Sequence, residues 1–296
     1  MWSYIKQSFA KPKSDVQKLV LNGETNLDFA NRINKELSKV FTSSTSSNYT
    51  SKVDSNTPIP LCNERDIFDH LCSLNTRKAQ GNDNIPSIFL KLGANSLSSP
   101  LCHIFNECLL HNVFPDAWKS SYIIPISKSN PVSIDKLRPI SLLPVISKLF
   151  ERHILHHSLS YFTNFIHTDQ FGFMPNSSTS ACLIHLQDCV TNLLDLRQIK
   201  YVSIVSFDLR KAFDTVPHQI LIQKLSTFLP QRFLTTFESF LMNRHQQVKI
   251  KDTNSHSIAI TSGVPQGCIL SPILFNVIIN DLTFGCLLYT SPSPRD

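Results

Sequence analysis

The chain is poor in glycine, in closely paired cysteines and in long apolar runs, and each shortage removes a class of protein. Glycine occurs seven times in 296 residues. Each one is therefore expected to mark a backbone need, either a positive φ or a close approach. Eight cysteines are scattered along the chain (Cys62, Cys72, Cys102, Cys108, Cys182, Cys189, Cys268, Cys286), with no C-x-x-C among them. Zinc sites and thiol redox centres need adjacent thiols, and small secreted disulfide folds are far denser in cysteine. Most of the eight stand in apolar runs, where a free thiol is expected to pack as a small hydrophobe. No stretch approaches the roughly 18 uncharged apolar residues of a membrane span. Residues 1–6 open without the apolar core of a signal peptide. An intracellular protein without a membrane partner is the expectation.

What is present is ordinary globular composition, 42% hydrophobic and 9% aromatic, far from a disordered chain. The net charge of +6 permits a polyanionic partner without requiring one, because affinity for nucleic acid depends on clustered cations. Ser, Thr and Asn crowd residues 42–56, too polar to offset their ordering entropy, and this stretch reads as linker. Before it, Phe29 to Phe41 has the spacing of one amphipathic helix. A first domain is expected to start near Cys62, after an N-terminal extension over 1–61.

Helical spacing dominates from there. It is carried by Ile67, Phe68, Leu71 and Cys72, by Leu101, Ile104, Phe105, Cys108 and Leu109, and by Val145, Ile146, Leu149 and Phe150 running on to Ser160. Ser178 or Thr179 can cap a further helix with the stripe Cys182, Leu186, Cys189, Val190 and Leu193. The pattern then changes. Residues 201–207 (YVSIVSF) form a β-rich run ending on Asp208. Segments 246–250 and 257–261 flank the polar turn 251–256 and predict a hairpin. Leu270, Ile273, Leu274, Val277 and Ile278 mark a last helix. A helical first half followed by strand, helix, hairpin and helix predicts an α+β architecture.

Three runs carry chemistry. In Ser206-Phe-Asp-Leu-Arg-Lys-Ala-Phe-Asp-Thr-Val-Pro-His218 an Asp ends an apolar strand, where it either caps the next turn or helps to hold Mg²⁺ beside substrate phosphates. In Ser262-Gly-Val-Pro-Gln-Gly-Cys-Ile-Leu-Ser-Pro272 two glycines and two prolines shape a tight loop before a helix N-terminus. That arrangement is either a rigid connection or a phosphate cradle, with Gln266 offering an amide. The third run is Trp118 to Lys128, followed ten residues later by Leu137-Arg-Pro-Ile-Ser-Leu-Leu143. Its Lys128 and Arg138 are either solvated surface charges or a pair able to clamp a triphosphate.

Taken together and in order, these runs resemble the reverse-transcriptase motifs of non-LTR (LINE-type) retrotransposons. Lys78-Ala-Gln-Gly-Asn-Asp-Asn-Ile-Pro86 is similar to the family's early K-x-x-G-x-D-x-I-P element. Gln170-Phe-Gly-Phe173 with Ser178-Thr179 resembles its Q-x-G-F…S-T element. The resemblance covers residues 78–282. It implies a right-hand polymerase fold, with helical fingers over 62–200 and a partial palm of antiparallel sheet and helices over 201–285. It also implies an RNA template, a DNA primer, deoxynucleoside triphosphates and two Mg²⁺ ions. By the same resemblance Asp208 is the first metal carboxylate and catalytic residue, and the Leu209 carbonyl is a second ligand. Phe213 lies under the deoxyribose, Gln266 and Gly267 form the loop under the incoming nucleotide, and Lys128 and Arg138 hold the triphosphate. Asp83 and Asp214 are expected to be structural, with Asp214 and His218 fixing the turn into a helix near Gln219.

The departures matter as much. Met174 stands where many relatives carry a basic residue. The family's second catalytic pair, in a Y/F-A-D-D hairpin, does not occur in the 296 residues, and neither thumb nor endonuclease is recognisable. Residues 286–296 (CLLYTSPSPRD) break the pattern and resemble translated sequencing-library adapter, which makes Gly285 the expected last genuine residue. The expectation is thus an incomplete and inactive polymerase fragment. The alternatives are a non-catalytic RNA-binding remnant and a splicing-type maturase relative, which would need its own RNA-binding domain.

Overall fold

The computed structural model describes residues 16–42, 49–53, 57–127, 131–196 and 199–282. Lys128 and the segment 283–296, with Gly285, Cys286 and the adapter-like tail, lie outside the described residues. The first described helix, α1 (Asn26–Ser38), is capped by Thr25, whose side chain accepts from the Asp28 amide. It is followed by α2 (Glu64–Cys72), α3 (Ser87–Leu92), α4 (Ala94–His111), strand β1 (Ser120–Ser127) and strand β2 (Leu137–Leu142). Next come α5 (Val145–Phe165), α6 (Thr179–Leu194), α7 (His218–Leu225) and α8 (Gln231–Leu241). Strands β3 (Arg244–Ile250), β4 (Thr253–Asn254) and β5 (Ile258–Ile260) and helix α9 (Ser271–Ile279) complete the order.

The sheet is mixed rather than purely antiparallel. Strand β1 pairs antiparallel with β2, Tyr122 opposite Leu142, and parallel with β3, Ile123 opposite Val248. The predicted hairpin forms, with β5 antiparallel to β3 and Gln246 opposite Ile258, while β4 folds back on the end of β3. One face of this sheet is covered by α1. Phe29, Ile33 and Leu37 repeat at helical spacing and bury against Ile123, Leu137, Val248 and Ile250. Asn34 lies among them fully buried. Its amide donates to Ser255 Oγ (3.0 Å) and accepts from Gln246 Nε2 (2.8 Å), so the helix is keyed to the hairpin in one register.

The larger core gathers helices α2, α4, α5, α7, α8 and α9. Its centre is aromatic. Phe114 meets Phe240 edge-on at 5.1 Å and Phe150 at 5.6 Å, and Phe105 meets Trp118 edge-on at 5.7 Å. Each fully buried ring contributes roughly 1.5–3 kcal/mol by leaving water. The apolar face of α9 is packed, with Ile273, Leu274 and Val277 buried in this core.

Two expectations fail in one region. Residues 201–207 form no strand, and Tyr201, Ile204, Val205 and Phe207 are exposed. A β-prone run becomes a strand only when neighbours offer ladder partners and a face to bury. None of the five described strands pairs with this run. Helix α6 forms as predicted, with Ser178 as its cap, yet it buries no residue and leaves Leu183, Ile184, Leu186 and Leu194 in solvent. Cys182 and Cys189 are exposed with it, against the expected core packing, while Cys62, Cys102 and Cys268 are buried. Contiguous apolar surface of this kind drives association. Replacing Ile184 and Leu194 by Glu should therefore raise the monomer fraction on gel filtration without lowering the melting temperature. An unchanged elution profile would refute the assignment of aggregation to this face.

A histidine cluster joins α2 to α5. The rings of His153 and His157 lie 4.5 Å apart, and His153 Nε2 bonds the Pro60 carbonyl at 2.7 Å. Burial holds His153, His70 and His157 below the usual imidazole range, His157 down to about 4. These groups bind protons more readily unfolded than folded, so their contribution is complete above pH 6.5 and is lost as pH falls towards 4. Glu151, raised by burial, acts in the opposite sense above its ordinary value. Thermal melts between pH 7.5 and 5 should show falling stability, and a flatter slope in His157→Gln. Equal slopes for both proteins would exclude the cluster as the cause.

Candidate nucleotide site

The site is built where two loops meet beside β2. After the extended run, residues 210–215 turn back on themselves, with the Asp214 amide donating to the Lys211 carbonyl (2.9 Å). This turn is laced to the loop 262–267. The Val264 amide donates to the Phe213 carbonyl (2.8 Å) and the Gly263 amide to the Val216 carbonyl (2.7 Å). Gly263 has φ +86°, and a Cβ there would meet the Asp214 carbonyl oxygen at 2.7 Å. Only glycine satisfies both demands. His218 is buried, and its Nε2 stands 2.7 Å from the Gly263 carbonyl, so that nitrogen carries the proton. Desolvation holds this imidazole below its ordinary range and therefore neutral. Asp214 completes the link, its carboxylate accepting from Gln266 Nε2 at 3.0 and 3.2 Å. Asp214 and His218 thus tie two distant loops together, beyond fixing the local turn.

Strand β2 meets the same loop from the other side. The Ser141 amide donates to the Gln266 carbonyl (2.8 Å). Gly267, at φ +134°, leaves the space its side chain would take to the Ser141 carbonyl oxygen, 2.6 Å from a built Cβ. The glycine thus admits the protein's own backbone.

These contacts surround an open cavity of about 980 Å³ lined by Arg138, Asp208, Leu209, Phe213, Asp214 and Gln266. Five residues expected from sequence to bind nucleotide or metal are therefore brought together: Arg138, Asp208, Leu209, Phe213 and Gln266. Gly267 lies in the same loop outside that lining, and Lys128 is among the residues not described. Arg138 and Asp208 are exposed. Phe213 is half-buried, stacked on Phe275 at 4.8 Å and met edge-on by Phe173 at 5.8 Å, so its ring is fixed from two sides. Asp83 does not line this cavity and serves its own loop, its carboxylate accepting from the Ile85 amide (3.2 Å).

Sequence inspection missed Glu151. This residue of α5 is fully buried. Its carboxylate accepts from the amides of Ile269 (2.6 Å) and Leu270 (3.3 Å) and from the Ser147 hydroxyl (3.0 Å). It thereby caps the N-terminal end of α9 just after the Gln266–Gly267 turn. Burial raises its carboxyl, opposed by the charge of Arg244 and by these amides. The Cys268 thiol beneath is pushed up by the same burial and by Glu151, and stays protonated. A charge inside an otherwise helical apolar pattern was the available signal. Glu151→Ala should leave two amides and the Ser147 hydroxyl without their acceptor, costing on the order of 1–3 kcal/mol. Urea denaturation measures that loss, and hydrogen exchange should show Ile269 and Leu270 opening first. Protection unchanged at those two amides would remove Glu151 from its place under the loop.

The family profile described as reverse transcriptase (RNA-dependent DNA polymerase) matches residues 126–289, more than half of the chain. The protein belongs to the reverse transcriptase family. Among curated relatives it is 32% identical over 230 residues to the RNA-directed DNA polymerase from mobile element jockey of Drosophila melanogaster. That alignment covers 76% of this chain and 25% of the relative. It is 31% identical over 229 residues to the probable RNA-directed DNA polymerase from transposon BS of the same organism, with the same coverage. To that from transposon X-element it is 29% identical over 230 residues. The chain thus spans about a quarter of the length of these relatives. The mixed α and β architecture is consistent with a reverse transcriptase domain, and no described helix is long and apolar enough to cross a membrane.

Proposed function

We propose that the chain is the nucleotide-binding portion of a non-LTR retrotransposon RNA-directed DNA polymerase, and that these 296 residues alone do not polymerise. The observation that carries this reading is the convergence of Arg138, Asp208, Leu209, Phe213 and Gln266 on one cavity. In it the Arg138 guanidinium meets the triphosphate of a deoxynucleotide, with a fork suited to bidentate phosphate contacts. The ring of Phe213, held by Phe275 and Phe173, is the floor against which the deoxyribose rests and a 2′-hydroxyl is refused. The Gln266 loop, locked by Asp214 and Ser141, supports the base opposite an RNA template, and a DNA primer supplies the attacking hydroxyl.

Mg²⁺ supplies charge neutralisation of the triphosphate when bound. The donors available to it are the Asp208 carboxylate and the Leu209 carbonyl. Asp214 is committed to Gln266, and among the described residues no three His, Cys, Asp or Glu side chains group to hold a metal. Such a set fits one Mg²⁺ shared with substrate phosphates and water, and does not fit a pair. The 296 residues contain no Y/F-A-D-D sequence to supply further carboxylates, which supports an inactive chain.

The chain should bind deoxynucleoside triphosphate with Mg²⁺ by calorimetry, yet extend no primer. Arg138→Ala should weaken that binding roughly tenfold, the loss of one charge-assisted contact. Phe213→Val should narrow the preference for deoxy- over ribonucleotide. Incorporation of labelled nucleotide by the wild-type chain would overturn the inactivity. RNA binding with no nucleotide binding at all would favour a non-catalytic RNA-binding remnant.

A further inference from the structure

The turn Gln170-Phe-Gly-Phe173, between α5 and α6, holds a phenylalanine where the backbone suits glycine. Phe173 has φ +60°, the left-handed region in which a Cβ crowds the following carbonyl. Glycine adopts this conformation freely, yet the glycine of the turn stands one position earlier. Gly172 serves a different need, because a side chain there would crowd Gln170 Nε2, 3.2 Å from a built Cβ. Burial does not explain the ring at 173 either, since 59% of Phe173 is exposed. A strained backbone that carries an exposed apolar ring points to a use for that ring.

The ring meets Phe213, edge-on at 5.8 Å with an interplanar angle of 89°. Phe275 of α9 stacks on the same Phe213 ring at 4.8 Å and 20°. Phe213 lines the nucleotide cavity and Phe173 does not, so Phe173 acts there through Phe213. The turn that carries Phe173 is anchored to the helix that bears Phe275. Asn276, fully buried on α9, donates from Nδ2 to the Gly172 carbonyl (2.7 Å) and accepts from Gln170 Nε2 (3.3 Å). Gln170 Nε2 closes the turn on the Gly172 carbonyl at 3.1 Å. Two successive residues of α9 therefore hold Phe213, Phe275 directly and Asn276 by way of the turn and Phe173.

A 2′-hydroxyl exceeds a hydrogen by one oxygen atom. Steric refusal of so small a group rises steeply with approach, so the refusing ring has to be held to within about 0.5 Å. A ring backed on one face alone slides along an offset stack at little cost and makes room. An edge-on neighbour blocks that slide.

We propose that Phe173 is a positioning residue of the nucleotide site, which fixes the Phe213 ring at the depth where a ribonucleotide is refused and a deoxyribonucleotide accepted. The proposal rests on the reading of Phe213 as the floor beneath the sugar.

The test is calorimetric binding of dATP and of ATP, each with Mg²⁺, to the full chain, and the ratio of the two dissociation constants is the readout. Phe173→Gly removes the ring and relieves the backbone, so its melting temperature should be unchanged or raised. Its affinity for dATP should stay within about twofold, while the preference for dATP over ATP falls roughly threefold to tenfold, the range an edge-on ring contact supports. Phe173→Tyr, which keeps the ring, should retain the wild-type ratio. Phe213→Val is the reference and should narrow the preference in its own right. A ratio unchanged in Phe173→Gly beside a narrowed one in Phe213→Val would overturn the proposal and leave the nucleotide site standing. A ratio unchanged in Phe213→Val as well would overturn the reading of that site, and this inference with it. Equal losses of dATP and ATP affinity in Phe173→Gly, with a lowered melting temperature, would make Phe173 a purely structural residue and overturn the proposal too.

Discussion

Glu151 sets a carboxyl group where water does not reach, and the loop beside the candidate nucleotide cavity is held by the donors that meet it. Three donors close on it: two amides at the start of α9 and the hydroxyl of Ser147 one turn back on its own helix. A buried carboxylate without such partners would be strongly disfavoured. The nearby guanidinium of Arg244 is itself fully buried, stacked 4.7 Å from the Phe240 ring and bonded to the Phe240 carbonyl. Its Nε and Nη2 have no hydrogen-bond partner among the described residues, and its charge favours the ionised form of Glu151 against the effect of burial.

The same loop is stitched a second and a third time. Ser141 holds the Gln266 carbonyl from β2, and Asp214 holds the Gln266 amide from the turn after Asp208. Three elements far apart in the chain therefore share one rigid junction. Arg138, Asp208 and Phe213 reach the cavity because their own segments are tied there. The region immediately upstream has no such ties. Residues 201–207 and α6 keep their local character, one extended and one helical, but neither finds a surface to bury. Local propensity is satisfied there without tertiary reward, the combination that leaves apolar side chains in solvent.

Legibility followed the range of the interaction. Helical stripes at 67–72, 101–109, 145–160 and 270–278 were readable because each depends on spacing within a few turns. The hairpin at 246–260 was readable from its polar turn, and the runs holding Arg138, Asp208, Phe213 and Gln266 stood out by their resemblance to ordered family motifs. What the motifs could not show was that Gly267 makes way for Ser141, or that His218 answers Gly263. Both are contacts over long sequence separations with no local signature. The run at 201–207 went wrong for the converse reason. Its composition is that of a strand, but a strand is made by its neighbours.

Sequence alone therefore pointed to the family through its ordered motifs and placed most of the helices, since these rest on spacing and residue chemistry. Tertiary structure decided the rest. It selected Glu151 as the buried anchor, made the sheet mixed by laying β3 parallel to β1, covered α9 and left α6 bare. Each of these depends on which distant segments meet, and burial, charge compensation and ladder pairing have values only once they have met.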